Sequence, residues 1–519
     1  MMKRPNQKGA ALLFAMIFVL VLSIMAASLM FLSQSETWAS MNYRLMTEAR
    51  YGAEAGLHAA ANYFMNTYQS PGGITDPITA YNTGVSPVTL LGGGSPIVLG
   101  PTMNGLSSNY PVSTVLTDFN SGSSGSLSAG HNTVNYSVNA ELLSMRQVRH
   151  CLTDTKLTAQ LWRLTSHGDI NGVRNSEVEV SALLESHVVP CFNYAGYATG
   201  TGCSSILFNG GGTIDSYDSG SLTLSGGTPV TQTYMGNLGS NGNVNTASNT
   251  TINGTFSSPD TGVGACGAGA GVVALSGNTA AITGCATGPT NCLPAPGLVK
   301  LPQALTFPLP NIPSSVPPPS SSVSSGDSLT PCSANCPQNG ANNGNYSDIS
   351  LAGKSSITLN PGTVPPGTCV PGTYYINSIS LAGNAQINIA PCPGTGPGTG
   401  NPAVYQPVIL NIVGQGQSTV LDLGGNGISN PGFNSSLVQI QYNGTGAINL
   451  HGNGTSSGVI YAPNADITLS GNGTIYGAVV GKTLTANGTP VTIHYDRSLQ
   501  NNLVTVGNWT MDTFTWSKF

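Results

Sequence analysis

Charged side chains are scarce in this chain of 519 residues. Asp, Glu, Lys and Arg together make up 7 % of the sequence, against roughly 25 % in a typical soluble domain. The net charge is −5, and no basic stretch is long enough to follow a phosphate backbone. The composition therefore argues against nucleic acid as a partner.

Gly, Ser, Thr and Asn take the place of the missing charges. The 67 Gly and 34 Pro residues make up about a fifth of the chain, which is less than the roughly 25–30 % of an aperiodic disordered polymer. Hydrophobic residues make up 39 %, so the chain has enough of them for a packed core. This balance is typical of a repetitive β-structure with many tight corners.

All ten cysteines follow residue 150. An even number beyond an N-terminal apolar run indicates export to an oxidising compartment and disulfide pairing. Spacing leaves the connectivity open, and the closest pairs, Cys191/Cys203 and Cys332/Cys336, are the simplest hypothesis. Zinc is disfavoured because only Cys332 and Cys336 approach a ligand spacing. We expect no metal and no cofactor.

The N-terminus carries an uncharged apolar run, Ala10–Leu32, preceded by Lys3, Arg4 and Lys8. As a helix the run would be about 34 Å long, enough to cross a bilayer. The basic residues before it favour a short cytoplasmic N-terminus. Because no proline follows until after Tyr68, we predict one helix over 10–68, half in the membrane and half outside.

Two other interpretations of this run stay open. A cleaved secretory signal peptide normally has an apolar region of only about 7–15 residues, although Ala26–Ser28 supplies small residues near a cleavage position. An ordinary uncleaved anchor that enters no filament also agrees with the length and the flanking charges.

Two short motifs carry a family resemblance. Lys8-Gly9-Ala10-Ala11-Leu12-Leu13 resembles the class III leader of type IV pilins and pseudopilins. Gln7–Tyr63 resembles the N-terminal domain of PilX-type minor pilins, and Ala49–Leu57 resembles their A-x-x-A-A-E-A-G-L element with Gly52 in place of one Ala. The resemblance implies cleavage by prepilin peptidase between Gly9 and Ala10, and methylation of the new N-terminus at Ala10.

At one position, the residue type differs from that of the major pilins, which share this class of leader. They carry Glu at the fifth mature position, where it pairs with the N-terminal amine of a neighbouring subunit, whereas this chain has Phe14 there. A carboxylate in lipid is costly unless it is paired, so its absence removes one assembly contact. Phe14 therefore favours a minor or tip subunit. The implied partners are other pilins or minor pilins, prepilin peptidase and the inner membrane.

Residues 69–190 predict a small antiparallel sheet. Thr133–Leu143, Thr158–Thr165 and Glu177–Leu184 are the strand candidates, and the first and last alternate apolar and polar residues. Ser166–Val173 has the composition of a turn-rich connector between the last two. A long helix followed by such a sheet is the arrangement of a pilin.

Internal repeats dominate the sequence after Cys191. Ile448–Thr455 recurs as Ile467–Thr474, and Ile349–Leu359 recurs as Ile379–Ile389. Each unit alternates apolar and polar residues and closes with Gly and Asn, which adopt the left-handed conformations of tight corners. Several such units must stack to bury their apolar side chains. The C-terminal sequence also resembles the right-handed β-helix found behind PilX-type N-termini.

The predicted fold is mainly β with a long N-terminal α-helix: a pilin-like helix plus a small antiparallel sheet, then a right-handed parallel β-helix, or solenoid. The predicted segments are a leader at 1–9, the helix at 10–68, a pilin-like β region at 69–190, a first β-helix portion at 191–293, a Pro/Ser-rich linker or arm at 294–344, and a second β-helix portion at 345–519.

Few residues of the β-helix region predict chemistry. A polysaccharide lyase needs clustered carboxylates for calcium and a base, but 191–519 contains no Glu and only scattered Asp. Asp215 and Asp218 form the one close carboxylate pair, which we interpret as turn residues. In the polar cluster His494–Arg497 we expect Asp496 and Arg497 to form an ion pair. No catalytic residue is predicted.

The favoured function is a minor pilin-like subunit of a type IV pilus or related secretion filament, and not an enzyme. It would cross the inner membrane once and display the β-helix in the periplasm or outside the cell, at the filament tip. The alternative is a tethered adhesin whose β-helix binds surface glycans. A polysaccharide-acting enzyme is the least favoured interpretation.

Overall fold

The computed structural model describes residues 8–72, 75–129, 132–151, 156–171, 175–246, 249–259, 273–275, 281–294, 297–314, 322–332, 344–364, 367–451, 455–471, 473–488 and 491–518. The chain divides into two compact units. The helix–sheet unit comprises Met1–Gln147, Lys156–Val188 and Val506–Phe519. The stacked-strand unit comprises Val148–Thr155 and Val189–Thr505.

The elements are numbered in chain order. The helices are α1 (Lys8–Asn66), α2 (Ser113–Ser123) and α3 (Leu499–Asn502), with 3₁₀ turns at Ile78–Ala80, Ser219–Ser221 and Ser435–Leu437. The strands up to residue 190 are β1 (Tyr81–Asn82), β2 (Thr89–Leu90), β3 (Val98–Leu99), β4 (Gly125–Ala129), β5 (Asn132–Arg149), β6 (Lys156–Ile170) and β7 (Ser176–Pro190).

The later strands are shorter and more numerous. They are β8 (Gly196–Ala198), β9 (Ile206–Phe208), β10 (Gly212–Tyr217), β11 (Leu224–Ser225), β12 (Thr228–Pro229), β13 (Leu238–Ser240), β14 (Val244–Thr246), β15 (Thr250–Ile252), β16 (Phe256–Ser258), β17 (Val273–Leu275), β18 (Ala281–Ile282), β19 (Leu298–Lys300), β20 (Ser328–Leu329), β21 (Asn345–Leu351), β22 (Ser356–Leu359), β23 (Gly362–Val364), β24 (Thr368–Val370), β25 (Gly372–Leu381), β26 (Gln386–Ile389), β27 (Val408–Ile412), β28 (Thr419–Leu423), β29 (Gly427–Ser429), β30 (Val438–Tyr442), β31 (Ala447–Leu450), β32 (Thr455–Leu469), β33 (Thr474–Ala486), β34 (Val491–Asp496) and β35 (Val504–Lys518).

The predicted long N-terminal helix is confirmed. Helix α1 has 59 residues, which corresponds to about 88 Å at 1.5 Å per residue. The large apolar side chains of its first half are exposed, whereas Ala49, Leu57 and Phe64 in its second half are buried. It ends where the N–H groups of Thr67 and Tyr68 both donate to the Tyr63 carbonyl oxygen, at 2.9 and 3.0 Å.

Small residues bring the second half of α1 close to the sheet. A Cβ atom at Gly168 of β6 would lie 2.1 Å from the carbonyl oxygen of Ala49, which is backbone that cannot move aside. A Cβ at Gly56 would lie 2.3 Å from Ser166 Oγ. The helix and the strand can therefore approach this closely only because both positions are glycine.

The sheet of this unit has the order β3-β5-β6-β7-β35, with β4 paired to β5. The connector predicted over Ser166–Val173 is wrong in its first part. Ser166–Ile170 belong to β6, where Ser166 pairs with Val180 and Gly168 with Val178. Their turn-like composition has another cause, because small side chains are needed where α1 crosses the strand. Gly172 and Val173 lie outside the described residues.

The C-terminal strand β35 also corrects the sequence analysis, which assigned 345–519 to the β-helix. Val506–Phe519 belong to the helix–sheet unit. The Trp509 ring lies 5.2 Å from the Phe64 ring and 6.1 Å from the Tyr68 ring. Trp509 and Met511 both pack on the core of this unit, and this apolar contact accounts for the position of the strand.

Parallel pairing links most strands of the stacked-strand unit, as the repeats predicted. Ile448 pairs with Ile467 and Leu450 with Leu469. Ile349 pairs with Ile379, and Ile357 pairs with Ile387. Like side chains therefore stack on like side chains in adjacent turns of the chain, and these residues are buried.

The strands nearest the end of this unit pair with those nearest its start. β33 pairs in parallel with β8 and β9, so that Leu484 lies beside Ile206. β34 pairs with β10, so that Ile493 lies beside Ile214. One 19-stranded sheet results, and the two portions that are separate in sequence form one continuous stack.

An arm, Leu305–Ile312, lies against these strands. Asn241 accepts from the Leu305 N–H at 2.8 Å and donates to the Leu305 carbonyl oxygen at 2.9 Å. The Phe307 ring lies 4.7 Å from the Tyr197 ring, and Tyr461 donates to the Pro308 carbonyl oxygen at 2.8 Å. The segment predicted as a linker thus contains a stretch that is packed and hydrogen-bonded.

Three disulfides join described cysteines: Cys151–Cys191, Cys285–Cys292 and Cys369–Cys392. The predicted Cys191/Cys203 pair is wrong because Cys191 bonds to Cys151. Parallel strands bring distant segments together, so sequence proximity does not decide the partner. Cys203 and Cys332 are also disulfide-bonded, and Cys336 lies outside the described residues.

Candidate functional sites

The first candidate site is the apolar half of α1, Ala10–Leu32. Its large apolar side chains point outward around the whole helix, and Phe14 is 71 % exposed. The helix is long and apolar enough to cross a membrane. A helix that is apolar all round needs an apolar environment on every side, which a bilayer or neighbouring apolar helices supply.

The predicted processing residues lie at the start of this half. Gly9 and Ala10 follow Lys8, where α1 begins. Phe14 lies four residues after Ala10, about one helical turn, so both lie on the same helix face. Cleavage after Gly9, methylation of Ala10 and the consequence of Phe14 stay predictions.

Exposed aromatic residues follow the apolar half of α1, and no sequence pattern singled them out. Trp38, Tyr43 and Tyr51 are 59 %, 73 % and 59 % exposed. Trp and Tyr favour the boundary between lipid and water, since their rings are apolar and their edges polar. Trp38 and Tyr43 therefore have the exposure and the side-chain chemistry that are typical of a boundary between lipid and water.

The polar cluster His494–Arg497 differs from its prediction. Asp496 is fully buried. Within the described residues, it forms no ion pair with Arg497. Asp496 accepts from Ser219 N–H (3.1 Å) and Oγ–H (2.7 Å) and from the N–H groups of Ser435 and Ser498, both at 3.1 Å. Since Ser219 follows β10 and Ser435 precedes β30, this carboxylate ties the two portions of the stack together.

Arg497 reaches the other side of the same corner. It donates to Ser216 Oγ at 3.1 Å and lies 3.9 Å from the Asp218 carboxylate. Its guanidinium is 5.0 Å from the centre of the Tyr234 ring. Asp218 also accepts from Gly220 N–H at 2.9 Å and from Ser221 at 2.9 Å, which agrees with a role in the turn.

Within the described residues of the stacked-strand unit, two histidine–carboxylate pairs link adjacent turns. His494 Nδ1 contacts Asp215, and both side chains are largely buried. His451 Nε2 lies 2.5 Å from Asp422 near the surface. Within the described residues, no group of three His, Cys, Asp or Glu side chains is arranged to hold a metal ion. Each pair has the geometry of a polar contact between turns of the stack.

Burial also affects the tyrosines of this unit. It raises the pKa of Tyr461, of Tyr197 and of Tyr495 above the usual value of 10. All three hydroxyls donate to oxygen acceptors: Tyr461 to Pro308, Tyr197 to Asn241 and Tyr495 to Phe192. These side chains are therefore neutral structural donors.

A polar pocket of about 400 Å³ opens on the stack. We call it the amide pocket, and its polar and aromatic lining residues are Gln386, Asn426, Ser429, Asn430, Phe433, Thr455 and Ser457. The pocket has no local sequence signal, because these residues come from three separate turns of the chain. The Gly-Asn corners of the repeats mark where such residues occur but do not reveal that they meet.

Two families match parts of the chain. The PilX N-terminal family matches residues 8–58, and a domain of unknown function, DUF7305, matches residues 407–502. No curated protein matches the sequence. The crystal structure of the competence-associated pilin ComZ from Thermus thermophilus aligns with 12 % identity over 92 % of this chain and 98 % of that chain, at a TM-score of 0.26, too low to support an inference.

The N-terminal resemblance is therefore confirmed: residues 8–58 form a PilX-type pilin N-terminal domain. With the apolar half of α1, this domain supports a pilus-related, membrane-anchored subunit. A periplasmic or extracellular bulk fits this domain and the apolar helix, and a pilin domain implies association with other pilins.

Proposed function

We propose that the chain is a minor pilin-like subunit of a type IV pilus or related secretion filament, with its β-structure carried at the filament tip. The observation that carries the proposal is the difference in burial between the two halves of α1. Its first half is apolar and exposed, while its second half packs on an antiparallel pair of strands through Gly56 and Gly168.

The two halves of α1 would serve two functions. Prepilin peptidase would cut after Gly9 and leave Ala10 at the N-terminus, and the apolar half would then exchange lipid for the apolar helices of other pilins. A charged N-terminal amine inside an apolar layer is costly unless it is paired. Because Phe14 offers no carboxylate to a neighbour's amine, the subunit is suited to few copies at an end.

The stacked-strand unit would be a right-handed parallel β-helix displayed outside the membrane. Three observations support this interpretation: parallel pairing between successive turns, stacking of like residues such as Ile448 on Ile467, and glycines with positive φ at corners, such as Gly383 at 69° and Gly471 at 71°. We propose no enzymatic activity for it, because no three His, Cys, Asp or Glu side chains among its described residues are grouped to hold a metal ion.

The decisive experiment is to determine the mature N-terminus. Membranes from cells with and without prepilin peptidase would be analysed by mass spectrometry of the N-terminal peptide. We expect Ala10, with a methyl group, only when the peptidase is present. An intact Met1, or a cut near Ala27, would overturn the pilin assignment and leave a tethered or secreted protein.

A second function is compatible with the first, namely an adhesin that binds glycans through the stacked-strand unit. The observation that favours it is the amide pocket, whose lining combines carboxamides, hydroxyls and one aromatic ring. A subunit that served only to build the filament would need no such pocket.

A further inference from the structure

We infer that the amide pocket binds a neutral saccharide, with Gln386, Asn426 and Thr455 as hydrogen-bonding groups and Phe433 as the apolar platform. This inference rests on the second proposed function and gives it a site and a ligand class. Pockets of a few hundred Å³ with an aromatic wall and a few placed polar groups are typical of small-molecule sites.

Asn430 is held rigidly in the pocket wall. Its Nδ2 donates to the Asn434 carbonyl oxygen at 2.6 Å and lies 3.3 Å from Ser457 Oγ. A flipped amide would set its oxygen against that carbonyl oxygen, so the orientation is determined by the network. Asn430 is 5 % exposed, and its Oδ1 has no hydrogen-bond partner among the described residues. The hydrogen bonds of Asn430 therefore fix the pocket wall, and the ligand contacts fall to the more exposed Gln386, Asn426 and Thr455.

Phe433 has a backbone conformation that bulky residues rarely adopt, with φ at 48°. Such strain persists only where the surroundings impose it, and it concentrates at ligand sites. Here Phe433 N–H donates to the Asn430 carbonyl oxygen at 3.0 Å, and Tyr217 donates to the Phe433 carbonyl oxygen at 2.6 Å. The Phe433 ring also packs edge-on against Tyr476, with centres 5.0 Å apart. The ring is therefore held in place in the pocket wall.

The lining defines the ligand class. None of the residues that line the pocket carries an ionisable side chain, so a charged ligand would enter without a counter-charge. Gln386 and Asn426 supply both donors and acceptors, and Thr455 supplies a hydroxyl. A ligand with many hydroxyls, no charge and an apolar C–H face matches this set, which describes a neutral sugar.

The test uses the full chain in detergent and a panel of neutral hexasaccharides built from glucose, mannose, galactose or N-acetylglucosamine, with binding measured by calorimetry. Two variants probe the site. Phe433→Gly removes the ring while glycine accepts the positive φ, so the fold is retained. Thr455→Val removes one hydroxyl, and Thr474→Val is its matched control, because Thr474 pairs with Thr455 one turn along the stack.

We expect at least one saccharide to bind, and Phe433→Gly to weaken binding about tenfold or more, which corresponds to about 1.4 kcal/mol, in a protein that still unfolds cooperatively. Thr455→Val should weaken binding and Thr474→Val should not. The inference is overturned if no panel member binds, or if neither pocket variant differs from the control. The mature N-terminus is measured independently of saccharide binding. A protein that begins at Ala10 but binds no saccharide would therefore overturn the saccharide site and leave the pilin assignment intact.

Discussion

Gly52 of α1 faces Val134 of β5 so closely that a Cβ atom on the glycine would lie 2.3 Å from Val134 Cγ1. This contact explains why the PilX-type element has Gly52 where the family pattern has Ala. The valine of the sheet occupies the space that an alanine methyl would need.

This contact predicts the sign of a substitution. Alanine is favoured over glycine inside a helix by about 1 kcal/mol, but overpacking a core typically costs about 1–3 kcal/mol. We therefore expect Gly52→Ala to lower the melting temperature of the helix–sheet unit, measured by calorimetry and by hydrogen exchange in 49–64.

The matched background is Val134→Ala, which removes the clashing methyl groups. In that background, Gly52→Ala should lower the melting temperature less or even raise it. The higher helix propensity of alanine is then no longer outweighed by overpacking. Gly94→Ala is the control, because no atom lies within 4 Å of its Cβ position. Equal effects of Gly52→Ala in both backgrounds would show that this packing does not set the identity of residue 52.

The sequence predicted those features that repeat locally. Ile448 and Ile467 occupy the same place in two copies of one pattern, so their stacking followed from the alternation of apolar residues. The contact of Leu484 with Ile206 could not be predicted in this way, because the segments lie far apart in the chain and neither is a copy of the other.

The same limit applies to the sites. The apolar half of α1 is one continuous run, and the sequence identified it. The amide pocket needs Gln386, Asn430 and Ser457 together, and nothing near each residue indicates the other two. Asp496 was assigned to Arg497 because they are neighbours in sequence, whereas its hydrogen bonds go to serines that the stacking brings to it.

Asp496 gives a second prediction. Asp496→Asn replaces one acceptor oxygen by an NH₂ group that faces donors from Ser219 and from Ser435 or Ser498. Hydrogen bonds to a buried charge are each worth about 1.5–3 kcal/mol, so we expect a loss of about 3–5 kcal/mol, as for other disrupted buried charges. Urea unfolding of the full chain measures it.

Asp466→Asn is the comparison for this variant. Asp466 accepts one hydrogen bond, from Thr483 at 2.7 Å, and lies at the surface. Its substitution should change stability by less than about 0.5 kcal/mol. Limited proteolysis should also cut residues 212–258 sooner in Asp496→Asn. If the two variants unfold alike, Asp496 does not hold the two portions together.

The disulfides give a third prediction. The chain-entropy model assigns a larger stabilisation to a bridge that closes a longer loop. Cys151–Cys191 spans 40 residues and Cys285–Cys292 spans 7, which correspond to about 4 and about 2 kcal/mol. The double variant Cys151→Ser/Cys191→Ser should therefore unfold at lower urea than Cys285→Ser/Cys292→Ser.

Peptide mapping without reduction tests the connectivity directly. We expect linked peptides that contain Cys151 with Cys191, and Cys369 with Cys392. A peptide linking Cys191 to Cys203 would contradict the structure and restore the hypothesis drawn from spacing.

Phe14 gives the fourth prediction, which concerns assembly. If its lack of a carboxylate limits the subunit to few positions, Phe14→Glu should raise the number of copies per filament. The new carboxylate would lie one turn from the Ala10 amine position, where the amine of a neighbouring subunit can pair with it. Quantitative immunoblots of sheared filaments, normalised to the major subunit, measure the copy number.

Leu13→Glu is the matched control, because it places a carboxylate at the adjacent residue and on a different helix face. An unpaired acidic residue in an apolar membrane segment is costly, so this variant should lower the amount of subunit in membranes and filaments. A rise for Phe14→Glu with a fall for Leu13→Glu would tie the copy number to pairing with the amine. A fall in both would mean that charge alone is excluded from this half of the helix, and that Phe14 does not limit incorporation.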